Sequence, residues 1–299
     1  MTPDAWEAAD VLAEPAAEAV EAPAAGAEVS TRSLLVALDI DGTLLLEDES
    51  LSPGILEAIQ DAEAAGHTLM LATGRSWATT RRIMGELGLE PEFVVTSNGA
   101  VTLRKDAADA TGYSRFHVET FEPAAVLTLL REHLPEARFM VEQPDGARLY
   151  TEDIAEWELG NARRVPFEAM MEVPVCRIVV VSPSHKEEDF LRLVDSIGLN
   201  QVSYAVGWTA WLDIAPKGVD KGTALEIVRE QLGFGPADVV VIGDGRNDLE
   251  MFRWARSGGG RAFAMGQGPQ EVLDAATHVT ASVHDGGAAA VLRELAAGA

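Results

Sequence analysis

Two carboxylates that are two residues apart follow the apolar run Leu34–Leu38, in the segment Asp39-Ile40-Asp41-Gly42-Thr43. Side chains at positions i and i+2 of a β-strand point to the same face of the sheet. Asp39 and Asp41 can therefore face one metal ion or one substrate. A single Asp at the end of a strand is often only a turn cap, but a pair with this spacing favours a chemical site.

A second apolar run, Val239–Ile242, also ends in polar side chains, which are Asp244, Asn247 and Asp248. Ligands of open parallel sheets bind at the carboxyl ends of the strands. Carboxylate and amide oxygens are the ligands that hard cations such as Mg²⁺ take in proteins. The two apolar runs, each followed by acidic residues, together predict a magnesium site at one edge of a sheet.

Apolar, β-branched runs alternate with amphipathic helical stretches at both ends of the chain, which is typical of a parallel sheet covered by helices. We predict an α/β fold with a Rossmann-like parallel-sheet core. The predicted helix that runs to Ala65 has Ser52 as its N-cap. The other predicted core elements are strands 34–38, 68–72, 93–96, 239–242 and 262–265, a helix after Arg75, and helices 248–255 and 287–296.

Residues 101–215 are too many for a crossover between strands of one sheet. They predict an inserted α+β cap domain, with residues 33–100 and 216–299 as the core. Within the insertion, the pattern predicts helices Pro123–His133 and Glu187–Ile197 and strands Val175–Val181 and Trp211–Ile214. Trp208 and Trp211 have two interpretations, the core of the insertion or a stacking surface for a ligand, and the first is favoured.

Composition excludes several classes of protein. The chain has 299 residues and a formal charge of −25, and without a Lys/Arg cluster it lacks the surface of a nucleic-acid binder. No apolar run reaches the ~20 residues of a membrane span. Cys176 is the only cysteine, so no internal disulfide forms.

Residues 1–32, rich in Ala, Pro and acidic side chains, are predicted to be a disordered tail without signal-peptide features. We expect a cytoplasmic protein with no obligate protein partner.

Four segments, in order, resemble the motifs of the haloacid-dehalogenase-like phosphatases, specifically the Cof-type branch with its type IIB cap. The resemblance covers the chain from Leu34 to Leu295. Its residues are Asp39-Ile40-Asp41-Gly42-Thr43, Leu71-Ala72-Thr73-Gly74-Arg75, Lys221-Gly222 and Gly243-Asp244-Gly245-Arg246-Asn247-Asp248. One departure is Gln267-Gly268, where family members commonly carry Asn-Ala.

The resemblance implies a role for each acidic residue. Asp39 would be the nucleophile that forms an aspartyl-phosphate, and Asp41 the general acid and then the general base. Carboxylates are chemically suited to both tasks. Mg²⁺ would be held by the Asp39 side chain, the Asp41 backbone carbonyl and Asp244, and Asp248 would orient a water ligand.

The resemblance also implies that Thr73, Lys221 and Asn247 hold the phosphate group. Thr73 and Gly74 follow a predicted strand, where a hydroxyl and backbone N–H groups can meet phosphate oxygens. Lys217 is the competing source of positive charge, and Lys221 is favoured over it. Arg75 either supports the site or only caps a helix.

The function predicted on this basis is a Mg²⁺-dependent phosphatase acting on a small phosphorylated metabolite. A phosphosugar mutase would keep the same core. A non-catalytic phospho-ligand-binding protein would be favoured by loss of Asp39 or Asp41, and both are present. A glycosyltransferase could use Asp39-x-Asp41, but it leaves Thr73 and the Asp244–Asp248 segment unexplained.

Overall fold

The computed structural model describes residues 33–152, 162–182, 199, 202–206 and 211–298. The predicted tail, the predicted helix Glu187–Ile197 and Trp208 lie outside these residues. No helix within the described ranges is both long and apolar enough to cross a membrane.

The core is a five-stranded parallel sheet in the order β14-β13-β12-β1-β2, which confirms the predicted α/β class. Its strands are β1 (Leu35–Leu38), β2 (Thr68–Leu71), β12 (Val239–Gly243), β13 (Arg261–Ala264) and β14 (His278–Val279). The central strands β1 and β12 are apolar and fully buried because both faces of the sheet are covered there, so alternate side chains enter two separate cores. Leu35 packs in one core and Val36 in the other.

Helices cover both faces of this sheet. The helices are α1 (Ile55–Ala64), α2 (Trp77–Leu87), α3 (Ala124–His133), α4 (Lys221–Leu232), α5 (Leu249–Ser257), α6 (Gln270–Ala275) and α7 (Gly287–Ala296). α1, α2 and α7 share the core that holds Val36, whereas α4, α5 and α6 share the core that holds Leu35. Of the helices in the described residues, only α3 lies away from this sheet.

The predicted N-cap of α1 is wrong. The helix begins at Ile55, and its N-cap is Gly54 in a left-handed conformation. The Ser52 hydroxyl instead donates to the carbonyl oxygen of Val283, at 2.7 Å. The side chain therefore ties the start of the helix to a distant turn, a contact that the local sequence does not encode.

Three further strands extend from the edge of the core. They are β3 (Phe93–Thr96), β4 (Val101–Lys105) and β5 (Tyr113–Val118), which pair in antiparallel fashion. A parallel bridge between Ala72 and Val95 joins β3 to the end of β2. The division into residues 33–100, 101–215 and 216–299 stays a prediction, but β4 and β5 pair with β3 rather than with the second large sheet.

A second large sheet has six strands in the order β10-β11-β9-β6-β7-β8. These are β6 (Arg138–Glu142), β7 (Arg148–Tyr150), β8 (Arg163–Arg164), β9 (Arg177–Val181), β10 (Val202–Val206) and β11 (Trp211–Pro216). Helix α3 packs against one face, where Phe139, Val141 and Ile214 are buried with Leu127. We call the opposite face, which carries Glu142, Arg177 and Asp213, the open face.

Candidate active site

Asp39 and Asp244 follow neighbouring strands. β1 and β12 pair in parallel with Leu38 opposite Ile242, and the backbone N–H of Asp39 donates to the Ile242 carbonyl at 3.0 Å. Parallel strands end at the same edge of a sheet, so the residues after them meet there. The structure thus brings the first and fourth motifs of the sequence together.

Lys221 lies beneath these strand ends and is fully buried. Its Nζ donates to Asp39 Oδ1 and to Asp248 Oδ1, each at 2.6 Å. The residue is the first of α4, and a capping box of Asp220 and Thr223 fixes the helix start. Burial alone lowers the pKa of Lys221, but Asp248 and Asp39 outweigh it and raise the pKa above its usual range. The two carboxylates therefore favour the charged form of Lys221 at this position.

Both carboxylate oxygens of Asp248 accept hydrogen bonds. Oδ1 accepts from Lys221, and Oδ2 accepts from the backbone N–H groups of Asp244 and Gly245, both at 2.9 Å. The carboxylate fits because Gly243 has no side chain, and a Cβ there would overlap Asp248 Oδ2. Asp248 thereby fixes the backbone from which the Asp244 side chain projects.

The acidic side chains of this cluster fit a divalent cation. Asp39, Asp244 and Asp248 each offer a carboxylate oxygen, and the three oxygens lie within 4.8 Å of one another. All three side chains are buried, and Lys221 supplies one positive charge to three carboxylates. Burial raises the pKa of Asp39 and of Asp244 above the usual range, and neighbouring carboxylates add to the increase. A divalent cation would relieve the repulsion among these carboxylates. Carboxylate oxygens are the ligands that Mg²⁺ takes in proteins.

Asp41 lies outside this cluster of carboxylates. Its side chain is 54% exposed and pairs with Arg75, whose Nε lies 2.9 Å from Asp41 Oδ2. The argument from strand alternation does not describe this side chain, because β1 ends at Leu38 and Gly42 turns the chain with a φ of 71°. Both interpretations of Arg75 stay predictions; its side chain contacts Asp41 and Glu49, and Ser76 is the N-cap of α2.

Thr73, Gly74 and Asn247 converge on a residue that the sequence analysis did not single out. Asn247 Nδ2 donates to Asn98 Oδ1 at 3.1 Å, and Gly74 lies against the same side chain. The Thr73 carbonyl accepts from the Asn98 backbone N–H at 3.0 Å, and the buried Thr73 hydroxyl accepts from the Arg75 backbone N–H at 3.1 Å. Lys217 is exposed, whereas Lys221 is buried against Asp39 and Asp248.

Asn98 also connects this edge of the core to the open face of the second sheet. Its Nδ2 donates to Asp213 Oδ2 at 2.9 Å, and Asp213 forms a buried ion pair with Arg177. The adjacent Ser97 hydroxyl donates to Glu142 Oε2 at 3.1 Å. Ser97 and Asn98 both have a φ of 52°, a strained conformation for residues other than glycine that concentrates at functional sites.

Two more contacts escaped the sequence analysis. Gln267 Nε2 donates to the Gly42 carbonyl at 2.6 Å, and its Oε1 accepts from the Val283 N–H at 2.9 Å. The residue that departs from the family pattern thus braces the loop after β1. Glu49 accepts from Arg75 Nη1 at 2.8 Å. The sequence marks Gln267 only as a departure from the family pattern, and no local signal indicates Glu49. Trp211 is half-buried on the open face, against Met140 and Val179.

The chain is similar to known proteins both in sequence and in fold. The family model described as haloacid dehalogenase-like hydrolase matches residues 36–292. The 5-amino-6-(5-phospho-D-ribitylamino)uracil phosphatase YitU of Bacillus subtilis is 26% identical over 89% of this chain and 98% of its own length. The HMP-PP phosphatase of Enterobacter sp. is 27% identical over 84% of this chain and 90% of its own length. Among solved structures, the HAD subclass IIB sugar phosphatase BT4131 superposes with a TM-score of 0.72 at 20% identity, over 88% of this chain and 98% of that one.

Proposed function

The chain belongs to the haloacid dehalogenase-like hydrolase family, as its four motifs predict, and from that premise we propose how it acts as a phosphatase. It hydrolyses a small phosphorylated metabolite in the presence of Mg²⁺, through an aspartyl-phosphate on Asp39. The observation that carries the proposal is the Lys221 ammonium, which lies 2.6 Å from Asp39 Oδ1 and from Asp248 Oδ1 beside Asp244. A buried, oriented carboxylate at the end of a central strand suits nucleophilic attack on phosphorus.

Two displacements at phosphorus make up the reaction. In the first, an Asp39 oxygen attacks phosphorus and the ester bond breaks, while the Asp41 carboxyl donates a proton to the leaving oxygen. In the second, the Asp41 carboxylate takes a proton from water as the water oxygen attacks phosphorus, which releases phosphate and frees Asp39. One carboxyl group serves as acid and then as base because the first step leaves it deprotonated.

The remaining residues hold the phosphate group and compensate its charge. Thr73, Gly74 and Asn247 offer a hydroxyl, backbone N–H groups and an amide around the same edge of the sheet. Lys221 holds Asp39 in place and offsets its charge as the phosphate dianion approaches. Preorganised donors of this kind favour the transition state without reorganisation during the reaction.

Asp39, Asp244 and the Asp41 backbone carbonyl would hold Mg²⁺, with Asp248 acting through a water ligand. When bound, Mg²⁺ supplies positive charge that offsets the repulsion between a phosphate dianion and a carboxylate nucleophile. The three buried carboxylates against one ammonium are consistent with this requirement.

The position of the second large sheet favours a small substrate. Strands β10 and β11 contact the turns that carry Asn247 and Asn98, so the second sheet covers the carboxyl-terminal edge of the core at these turns. A folded phosphoprotein would not fit beneath such a cover, whereas a sugar phosphate or nucleotide would. Relatives named for a phosphorylated ribitylaminouracil and for sugar phosphates are consistent with this size class.

Phosphate release across sugar phosphates, nucleotides and flavin mononucleotide, each with Mg²⁺ and with excess chelator, tests the proposal. We expect turnover of at least one small ester with Mg²⁺, loss of turnover in chelator, and recovery when Mg²⁺ is restored. Full activity in chelator would contradict the metal assignment. Product analysis distinguishes hydrolysis from a mutase, because only a mutase returns an isomeric phosphate ester in place of free phosphate.

A further inference from the structure

Arg75 forms a bridge between two carboxylates of the loop that follows β1. Its Nε and Nη2 contact the two oxygens of Asp41, and its Nη1 donates to Glu49 Oε1 at 2.8 Å. The Arg75 side chain is 17% exposed, whereas those of Asp41 and Glu49 are about half exposed. A two-pronged contact between a guanidinium and a carboxylate fixes the plane of the carboxylate as well as its position.

Glu49 makes its contact from an unfavourable backbone conformation. It lies in a small hairpin closed by a bridge between Leu45 and Leu51, and its φ is 63°. Glycine or asparagine is the usual residue at a left-handed turn position. Glutamate is found here instead, and both of its carboxylate oxygens are used, because Oε2 accepts from Arg82 Nη2 at 3.0 Å.

Arg75 and Arg82 both belong to the segment that forms α2 and its approach. Arg82 lies within α2, and Arg75 lies two residues before the helix begins. Glu49 therefore ties the hairpin to the helix and to Arg75 at once. Exposed ion pairs add little to stability. The main consequence of this arrangement is therefore that it fixes the direction of the Arg75 guanidinium.

We infer that Glu49 is a positioning residue that acts through Arg75 on Asp41, the proposed general acid. This inference rests on the proposed function. The Asp41 side chain follows the end of β1 and is exposed, so packing does not hold it. Proton transfer requires the carboxyl to lie within hydrogen-bond reach of the leaving oxygen. The bridge from Glu49 through Arg75 supplies that restraint.

The leaving group provides a specific test. An alkyl phosphate requires a proton on its leaving oxygen, whereas 4-nitrophenyl phosphate releases a stable anion and requires little help. Glu49→Gln and Glu49→Gly should lower kcat/KM on a sugar phosphate by about tenfold, part of the ~10²–10⁴-fold that acid–base catalysis contributes. They should leave kcat/KM on 4-nitrophenyl phosphate within about twofold, because this ratio reports the steps through formation of the aspartyl-phosphate, in which Asp41 acts only as the acid.

Glu86→Gln is the matched control. Glu86 accepts from Arg82 Nη1 at 3.0 Å, so the substitution removes a carboxylate from the same charged group without removing a contact of Arg75. Its rates on both esters should equal those of the wild type. In an Asp41→Asn background, Glu49→Gln should have no further effect, since a residue that acts only through Asp41 is not additive with it. Equal loss of kcat/KM on both esters, or additive losses in the double variant, would overturn the inference.

A crystal structure of Glu49→Gln provides a readout that does not depend on turnover. We expect the Arg75 guanidinium to turn away from Asp41, and the Asp41 carboxylate to lose its fixed plane. An unchanged contact between Arg75 and Asp41 would overturn the inference even if the protein is an active phosphatase. A wild-type protein that hydrolyses no ester in the panel would contradict the proposed function instead, and the crystal structure would still decide whether Glu49 holds Arg75.

Discussion

At the floor of the candidate site, Asp39, Asp248 and Lys221 are almost completely withdrawn from solvent, and Lys221 contacts each of the two carboxylates at 2.6 Å. At its rim, the carboxylates of Asp41 and Glu49 are about half exposed and share one guanidinium. Both regions are networks of charged side chains, centred on Lys221 at the floor and on Arg75 at the rim, where Glu49 also pairs with Arg82. They differ in what fixes them, because the floor is held by burial and backbone contacts, whereas the rim is held by side chains alone.

This difference separates stability from catalysis. Removing one partner of a buried ion pair leaves an uncompensated charge and destabilises the fold, so floor residues should affect both stability and turnover. Exposed ion pairs contribute ~0–1 kcal/mol, so rim residues should affect turnover with little effect on stability. The two sets of variants can therefore be distinguished by measuring unfolding and kinetics on the same protein.

The largest expected effect on stability is that of Lys221→Met. The substitution leaves the buried Asp39 and Asp248 without their ammonium, and should lower the free energy of unfolding by about 3–5 kcal/mol, the usual cost of breaking a buried ion pair. Urea denaturation in metal-free buffer measures this change. The control is Lys217→Met at an exposed position nearby, and equal unfolding midpoints for the two variants would contradict the account of the floor.

A smaller effect is expected for Gly42→Ala. Gly42 has a φ of 71°, and a Cβ there would overlap Asp244 Oδ2. A left-handed alanine costs about 1–2 kcal/mol, and the overlap with Asp244 adds to that cost. Gly66→Ala is the matched control, because Gly66 has a φ of 87° and nothing within 4 Å of the added Cβ. The difference in unfolding free energy between the two variants isolates the contact with Asp244, and no difference would show that Asp244 moves freely.

The smallest effect on stability is expected for Asp41→Asn, at the rim. We expect a change of at most about 1 kcal/mol in the free energy of unfolding. On an alkyl phosphate, kcat should nevertheless fall by about 10²–10⁴-fold, because the proton donor is lost. Glu92→Gln, which removes an exposed ion pair with Arg104, is the control for stability. If Asp41→Asn destabilised the protein as strongly as Lys221→Met, the contrast between floor and rim would fail.

The elements of the floor could be predicted from the sequence because they follow from local patterns. The apolar runs predicted β1 and β12, and the sheet topology of such folds brings the acidic residues after them together. The predicted helix Gly287–Ala296 has the observed bounds. Lys221 was favoured over Lys217 through the family resemblance, and its burial against Asp39 is consistent with that choice.

The rim and its neighbours were less accessible to sequence analysis. Asn98, Gln267 and Glu49 act through side-chain contacts to residues far along the chain, which no local spacing encodes. The left-handed conformations of Ser97, Asn98 and Glu49 are equally hidden, because residues other than glycine rarely adopt them. Ser52 shows the same limit, since its partner Val283 lies 231 residues away.

The most direct test of the proposed mechanism is detection of phosphate covalently bound to Asp39. Rapid acid quenching during turnover of a phosphorus-labelled substrate should trap label on the wild-type protein, and the label should be released by hydroxylamine, which cleaves acyl phosphates. Asp39→Asn should trap none and should lose turnover by about 10³-fold or more, as expected when a nucleophile is removed. Turnover by Asp39→Asn near the wild-type rate, or labelling of that variant to the wild-type extent, would contradict the mechanism.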